Sequence, residues 1–385
     1  MQTAKAVASD LFKAFASKGL LNASCLHAIP GDSLIPASTD DVSVSSWVAD
    51  DSDFASIAVQ SISYAEKSKT VYVHVSKGNM RKLSMLKKEI NGVSIVIKKI
   101  SPLIINPEKS LSSTNSGNIY LIGDEQRRAC GSSCSPSNVT FAGTMGAIIR
   151  QNDVFFLLSN NHVIGGCNHA RFNSIIMSPA MSDSISGIAP IEIGRLSKLS
   201  PLSSGNPHFV NPCDVDAALA RVTYPDRLTS WQGSEEEGYD TPSQITEITD
   251  DDIGEMRVKK FGRTTGLTYG TVHSYCMDYT QIAYKANGFN ATVYFDNFFF
   301  IEGDERKEFA SCGDSGSLVV TEDESAAVGI IFATSPGYGC MLPINQVLNS
   351  LGGGELASGY GLPTNDGNGS DVATSESDVA GGVSE

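Results

Sequence analysis

The sequence lacks any long hydrophobic run. Its most apolar stretches, around residues 154–158 and 326–333, are only strand-sized, whereas a membrane-spanning helix needs ~18 or more consecutive apolar residues. We therefore expect no integral membrane segment. The N-terminal residues also lack an apolar core followed by a small-residue cleavage site, so they do not predict a secretory signal.

An excess of basic charge is also missing. The chain carries 28 Lys and Arg residues against 43 Asp and Glu residues, a net charge of −15. Since nucleic acids are densely negative, this balance predicts no nucleic-acid partner. Hydrophobic residues make up 41% of the 385 residues, which excludes a wholly disordered chain. A chain of this length exceeds the ~150 residues of an average domain, so we expect more than one.

The eight cysteines are scattered through the chain rather than grouped as in small disulfide-rich domains. Without a secretory signal, reduced thiols and a cytoplasmic location are the better expectation. The strongest metal candidate combines Cys130, Cys134, Cys167 and His169, but its spacings match no zinc module. The sequence therefore predicts neither a metal nor a cofactor.

Residues 1–115 predict a small α/β module. Residues 2–18 have an amphipathic, helix-like pattern, and valines alternate with other residues over 71–75, as in a strand. A basic helix is expected over 79–90 and a further strand over 92–100. Because no residue pattern in the module indicates catalysis, we expect the module to regulate or assemble the protein.

The remainder of the chain is mainly β. Short β-branched runs cut by turn residues fill about 119–225 and again about 257–352, which favours barrels or sandwiches. Between them, residues 234–256 contain nine carboxylates and no Lys or Arg, the pattern of a solvated loop. Residues 356–385 are rich in Gly, Ser and Asp and predict a disordered acidic tail.

Three short strings carry candidate chemistry. LLSNNHVIGG places His162 just past an apolar strand, CDVDAALARV places Asp216 at the start of another, and SCGDSGSLVV places Ser315 in a glycine turn. A serine hydroxyl is a poor nucleophile unless an imidazole removes its proton, and a buried carboxylate can hold that imidazole in one tautomer. The chain order His, Asp, Ser is incompatible with an α/β-hydrolase.

The glycine turn can also supply hydrogen-bond donors. An attacked carbonyl becomes an oxyanion, which needs backbone N–H groups pointing at it. The N–H groups of Gly313 and Ser315 can fill this role, because glycine at 313 lets the peptide turn inward without a Cβ clash.

These strings resemble the trypsin-like (chymotrypsin-fold) serine peptidases. LSNNHVI, VDAALA, FGRTTGLTYGTV and CGDSGSLV together look like the intracellular branch found in bacteria and in plant narrow-leaf-type proteins. The resemblance covers roughly 130–350. It implies two six-stranded antiparallel β-barrels and makes 116–355 the peptidase domain, preceded by the α/β module.

Carried over residue by residue, the resemblance makes His162 the general base and then acid, Asp216 its orienter and Ser315 the nucleophile. Asp214 competes for the carboxylate role. Asp216 is preferred because it directly precedes an apolar run, as in the family pattern.

The chain departs from the secreted relatives in two places. Cys312 sits one position later than their half-cystine, so that disulfide is not expected. No Ile-Val-Gly-Gly-type activation sequence precedes the barrels, so the N-terminal amine that would pair with Asp314 is missing, and Arg263 is a candidate replacement.

The resemblance also locates a specificity pocket. Its base falls on Phe309, and its wall falls on Ile331, Phe332, Ala333 and Thr334. Without a carboxylate at the base, a Lys or Arg side chain has no charge partner. We therefore expect an uncharged, small or aliphatic residue on the acyl side of the cleaved bond, the P1 position.

The leading hypothesis is an intracellular serine endopeptidase that cleaves protein or peptide substrates through an acyl-enzyme and is regulated by residues 1–115. The alternative is a catalytically silent binding scaffold of the same fold, since fold does not fix function. A third possibility is a protease that stays latent until an activating partner, or a second copy of the chain, engages residues 1–115.

Overall fold

The computed structural model describes residues 2–17, 20, 58–78, 88–105, 117–184, 187–204, 213, 215–277, 279–286 and 288–362. Its longer helices are α1 (Ala4–Ser17) and α2 (Ile344–Ser350). Within these residues, neither helix nor any shorter helical turn has the length and apolar character needed to cross a bilayer.

The strands fall into three groups along the chain. The N-terminal strands are β1 (Ala58–Ala65), β2 (Thr70–Lys77), β3 (Glu89–Ile90), β4 (Val93–Lys99) and β5 (Ile104–Ile105). The next group is β6 (Leu121–Ile122), β7 (Arg127–Cys130), β8 (Ser133–Pro136), β9 (Gly143–Thr144), β10 (Ala147–Gln151), β11 (Val154–Ser159), β12 (Ile175–Ser178), β13 (Ile191–Leu199), β14 (Ala218–Val222), β15 (Leu228–Gln232) and β16 (Tyr239–Asp240). The last group is β17 (Arg257–Gly262), β18 (Gly266–Cys276), β19 (Thr280–Ala286), β20 (Phe289–Phe295), β21 (Phe298–Gly303), β22 (Leu318–Thr321), β23 (Ala327–Ser335), β24 (Tyr338–Pro343) and β25 (Glu355–Leu356).

The fold class predicted from the sequence is confirmed: the protein is mainly β, with a chymotrypsin-like arrangement of two barrels. The second barrel is closed, with strand order β17-β22-β23-β24-β21-β18 and a final pairing of β18 back to β17. The first is a half-barrel, a curved sheet with strand order β25-β10-β11-β14-β13-β12-β8-β9. Strand β25 follows the second barrel in the sequence and pairs with β10 of the first half-barrel. This pairing links the half-barrel to the second barrel.

Local sequence explains the hairpin on which the first half-barrel is built. Strands β10 and β11 pair from Ala147↔Leu158 to Gln151↔Val154, leaving only Asn152 and Asp153 in the turn. Both turn residues have positive φ, 47° and 62°. Asn and Asp tolerate this conformation better than most residues, and a two-residue turn of this kind matches the twist of the flanking strands.

The N-terminal region differs from the expected strand–helix–strand unit. Strands β3 and β4 form a tight hairpin in which Ile90 pairs with Val93 around Asn91–Gly92, both with positive φ. The end of the helix predicted over 79–90 is therefore a strand, because the Asn-Gly turn signal dominates there. Residues 79–87 lie outside the described part of the chain. Helix α1 buries Val7, Leu11 and Phe15, at four-residue spacing, against this sheet.

The N-terminal strands are not a separate layer from the second barrel. Strand β1 pairs with β18 at Tyr64↔Tyr275, so one sheet runs from β3 through β4, β2 and β1 into the barrel. The amide of Gln60 adds a hydrogen bond of 2.6 Å to the backbone carbonyl of Gln281. The described strands β1 to β4 of the N-terminal region therefore extend the second barrel's own sheet.

A polar cluster lies where this extension meets the barrel. The ring of His74 on β2 packs against Phe300, with centroids 4.8 Å apart, and its Nδ1 lies 3.1 Å from the Ser61 hydroxyl. On the barrel side, His273 has its Nε2 atom 3.3 Å from the Lys98 amine. Burial lowers the pKa of both histidines to about 3, and the positive charge of Lys98 contributes to this shift.

The first residues of the predicted tail belong to the described structure. Leu356 ends strand β25 and is only 5% exposed, and the ring of Tyr360 packs on Phe155 at 4.6 Å. The prediction of disorder was thus wrong for residues 356–362, because a buried leucine and a packed tyrosine stand in an otherwise polar composition. Residues 363–385 lie outside the described part of the chain.

Candidate active site

Sheet topology brings His162 and Asp216 together. His162 lies in the single helical turn Asn161–Gly165, which is separated from the end of β11 by one residue, Asn160. Asp216 is separated from the start of β14 by one residue, Ala217. Because β11 and β14 are hydrogen-bonded neighbours, with Ser159 opposite Ala218, the two side chains emerge at the same edge of the half-barrel.

The imidazole and the carboxylate form a buried pair. Nδ1 of His162 lies 2.6 Å from Oδ2 of Asp216, and the backbone N–H of His162 donates to Oδ1 at 3.0 Å. The His162 side chain is 3% exposed and that of Asp216 is fully buried. Two contacts between the same residues fix the ring's orientation, and His162 lines the cleft. Asp214, the alternative carboxylate, lies outside the described residues.

Tyr284 on β19 completes the surroundings of the carboxylate. Its hydroxyl donates to Oδ2 of Asp216 at 2.8 Å. Burial raises the pKa of Tyr284 well above its ordinary value, and the charge of Asp216 raises it further, so the hydroxyl keeps its proton. Sequence reasoning missed this residue, because no motif surrounds it.

Ser315 lies across the cleft from this pair. Ser315 and His162 line the same cleft between the two barrels. The Ser315 hydroxyl makes a 3.4 Å hydrogen bond to the backbone carbonyl of Phe332. Its own carbonyl accepts from the N–H of Thr144 at 2.8 Å, which anchors the turn to the first half-barrel.

The turn around Ser315 depends on two glycines with positive φ, Gly313 at 102° and Gly316 at 98°. A Cβ atom on Gly316 would lie 2.3 Å from the carbonyl oxygen of Thr144. The turn leaves the backbone N–H groups of Gly313 and Ser315 without an acceptor among the residues that the structure describes. Both donors are thus available at the predicted anion-binding position.

The carboxylate of Asp314 is held by the segment that follows β17. It accepts from the backbone N–H groups of Thr264 and Thr265 at 2.8 and 3.1 Å, and from the Thr265 hydroxyl at 2.7 Å. Lys260 lies 3.6 Å away, with both side chains completely buried. Asp314 therefore has an internal amine as its charge partner.

Arg263 is not that partner, which corrects the expectation from the sequence. It pairs instead with Asp183, its Nε donating to Oδ2 at 2.8 Å, and both side chains are only 2% exposed. Burial alone would raise the pKa of Asp183, but hydrogen bonds from Arg263 and Ser133 outweigh it and lower that pKa. This pair ties the Arg263 segment to the first half-barrel.

The predicted specificity residues divide into two sets. Phe332, Ala333 and Thr334 line the cleft, whereas Phe309 and Ile331 lie in the apolar core of the second barrel. The remaining lining residues are Ile104, Ile105, Ala142, Val163, Cys312 and Gly313. None of the lining residues carries a carboxylate, an amine or a guanidinium. Ile104 and Ile105 were not predicted, and they come from the N-terminal region.

The seven cysteines within the described residues form no disulfide. Six of them are buried, whereas Cys312, next to Gly313 at the cleft, is partly exposed. Burial raises the pKa of several of these thiols, among them Cys134, whose pKa rises to about 12.

Comparison with known proteins gives matches of two kinds. The family model of the Nal1 C-terminal domain matches residues 239–348. No curated protein sequence matches the chain. Among solved structures, Thermobifida fusca protease A is 19% identical with a TM-score of 0.40, over 60% of this chain and 100% of that protein.

Two further solved structures resemble the chain over the same share of its length. A glutamic acid specific serine protease is 16% identical with a TM-score of 0.41, over 60% of this chain and 100% of that protein. The Nocardiopsis protease is 18% identical with a TM-score of 0.39, over 60% of this chain and 98% of that protein. All three of these solved structures are of proteases.

Proposed function

We propose that the protein is a serine endopeptidase in which Ser315 is the nucleophile, His162 the general base and then acid, and Asp216 the residue that orients the imidazole. One observation carries the proposal: the buried Asp216 carboxylate holds Nδ1 of His162 at 2.6 Å, in the same cleft as Ser315. This arrangement fixes the tautomer whose Nε2 can accept a proton from a cleft hydroxyl.

The proposed reaction begins with attack of Ser315 Oγ on a peptide carbonyl. The serine proton passes to His162, and the resulting oxyanion is stabilised by the N–H groups of Gly313 and Ser315. His162 then gives the proton to the leaving amine, which leaves an acyl-enzyme ester. A water molecule, deprotonated by the same imidazole, hydrolyses the ester and restores the serine.

A fluorophosphonate probe tests this proposal, since it reacts with a serine hydroxyl that a neighbouring base activates. The wild-type protein is expected to be labelled, and Ser315→Ala is expected to abolish labelling. Ser325→Ala, in the exposed turn after β22, is the matched control and should be labelled like the wild type. Absence of labelling in a folded wild-type protein that still binds a partner would favour the silent-scaffold alternative.

The residues that line the cleft bear on the class of substrate. Among the residues that the structure describes, the cleft lining includes no Asp, Glu, Lys or Arg, so we propose an uncharged, small or aliphatic P1 residue. Better cleavage of Arg or Lys coumarin substrates than of Ala, Val or Leu substrates would contradict this preference.

The seven described cysteines without a disulfide support a reducing compartment, such as the cytoplasm.

The N-terminal region enters the proposal as a regulatory element. Strand β1 joins the second barrel's sheet, and β5 reaches the cleft. A conformational change in the N-terminal region can therefore alter the geometry of the cleft. Comparing the full-length chain with a 116–385 truncation on one peptide library tests this role. Equal activity and selectivity in the two proteins would contradict it.

A further inference from the structure

Strand β5 brings part of the N-terminal region into the cleft. The chain leaves the N-terminal sheet after Lys99, and Ile104 and Ile105 then lie beside His162 and Ser315 in the cleft lining. Both isoleucines precede the two barrels in the sequence. The catalytic steps proposed above give them no role.

This segment is firmly attached. Strand β5 pairs in parallel with β19, Ile104 opposite Ala283 and Ile105 opposite Tyr284, and the N–H of Ala283 donates to the Leu103 carbonyl at 3.1 Å. Leu103 and Ile105 are 1% and 4% exposed, whereas Ile104 is half-buried. Because Tyr284 also donates to Asp216, the strand that supports these isoleucines is the one that supports the carboxylate.

Opposite β5, strand β23 offers an edge on which a peptide can lie. Strand β22 covers this edge only up to Ile330, and the Gly316 N–H takes the Ile331 carbonyl. Beyond that point the Phe332 carbonyl faces Ser315, and no described strand pairs with this edge. Extended peptides bind such edges through backbone hydrogen bonds and present alternate side chains to pockets on either side.

Strand β5 lies close to β23, with Cα atoms of the two strands within 8 Å of each other. Ile104 and Ile105 line the same cleft as Phe332 of β23. A peptide on the β23 edge therefore passes the apolar side chains of these two isoleucines.

We propose that Ile104 and Ile105 form the wall of the subsite for P2, the residue immediately before P1, and select an aliphatic side chain there. The substrate class is thus peptides with Leu, Ile or Val at P2 before an uncharged P1. This assignment rests on the proposed peptidase function. It makes residues outside both barrels determinants of specificity.

The test is a series of peptide substrates that differ only at P2, with alanine kept at P1. Wild-type kcat/KM is expected to be at least tenfold higher with Leu than with Ala at P2, the size of effect that an apolar pocket gives for a few methylene groups. Ile104→Ala should reduce this ratio to about threefold or less. Ile104→Lys should favour Asp or Glu at P2, a gained preference that misfolding cannot produce. Ile245→Lys, at an exposed position outside the cleft lining, is the matched control and should keep the wild-type ratios.

Two results would overturn the inference while leaving the peptidase proposal in place. One is P2 ratios that stay unchanged in both Ile104 variants although the fluorophosphonate still labels Ser315. The other is an equal rise in kcat/KM for every substrate when the Ile104→Ala variant is compared with the wild type. That result would mean that β5 obstructs the cleft for all substrates and does not form a subsite. If the wild-type protein is not labelled at all, the proposed function fails and this inference fails with it.

Discussion

The amine of Lys260 lies 3.6 Å from the carboxylate of Asp314, and both side chains are completely excluded from solvent. Asp314 immediately precedes Ser315, so this ion pair stabilises the turn that presents the hydroxyl. Burial lowers the pKa of Lys260, an effect that Asp314 partly offsets. The charge partner of Asp314 is thus an amine within β17.

Replacing Lys260 with methionine should destabilise the protein and impair the turn. The change leaves Asp314 buried without a cation, which typically costs ~3–5 kcal/mol; we expect the lower end, because Thr264 and Thr265 still donate to it. Urea unfolding and the fluorophosphonate labelling rate measure the two effects. The double variant Lys260→Met/Asp314→Asn should recover much of the loss, whereas equal stability of Lys260→Met and wild type would refute the ion pair's role.

Tyr284→Phe should slow catalysis while leaving substrate binding nearly intact. It removes one hydrogen bond to a buried carboxylate, an interaction worth about 1.5–3 kcal/mol, so we expect a roughly tenfold or greater fall in kcat. Steady-state kinetics on one peptide measures this change. Tyr269→Phe, at a position 37% exposed, is the control and should behave as wild type. A large rise in KM with kcat unchanged would contradict the assigned contact.

His74→Leu should make stability less sensitive to acid. The pKa of His74 is about 3 in the fold against about 6.5 in the unfolded chain, so the unfolded state binds the extra proton between these values. Stability is therefore lost as pH falls through 6.5 towards 3. Between pH 7 and 4.5 the variant should lose about 2–3 kcal/mol less than wild type.

Urea unfolding at several pH values measures this difference in slope. His273, Lys98 and Glu302 surround the same cluster and are unchanged in the variant, so the comparison isolates His74. His169→Leu, at an exposed position, should keep the wild-type slope. Parallel pH profiles for His74→Leu and wild type would contradict the assignment.

Alkylation of Cys312 should inhibit the proposed peptidase activity. This thiol is partly exposed and lines the cleft beside Gly313, whereas the other six described cysteines are buried. A bulky maleimide is therefore expected to react first at Cys312 and to block substrate entry. Mass spectrometry locates the adduct, and Cys312→Ser should be active and resistant. Inhibition of that variant at the same rate would assign the effect to another thiol.

Most of the correct predictions rested on short, local sequence patterns. Motifs at strand ends were enough to select His162, Asp216 and Ser315 as candidates, because a short string marks where a strand ends. Strand β17 carries Arg257, Lys259 and Lys260, so its sequence did not single out Lys260 as the partner of Asp314, and Arg263 looked the better candidate. The Asn91–Gly92 pair, by contrast, was a usable turn signal.

Contacts between distant segments could not be predicted in this way. Tyr284 reaches Asp216 only because β19 and β20 fold over the barrel junction, and Ile104 reaches the cleft only because β5 pairs with β19. Neither pairing has a local signature. The union of the N-terminal strands with the second barrel depends in the same way on β1 meeting β18.

The continuous sheet has a consequence for how the protein is made. Gln60 bonds to Gln281 across 221 positions of the chain, and Tyr64 pairs with Tyr275. At roughly 5–20 residues per second, the ribosome adds the later partner some ten to forty seconds after the earlier one. During that interval the apolar face and the open edge of the newly synthesised β1–β2 hairpin lack their final neighbours. Strands β1 and β2 are therefore made before the strands of the second barrel but are among the last to reach their final positions.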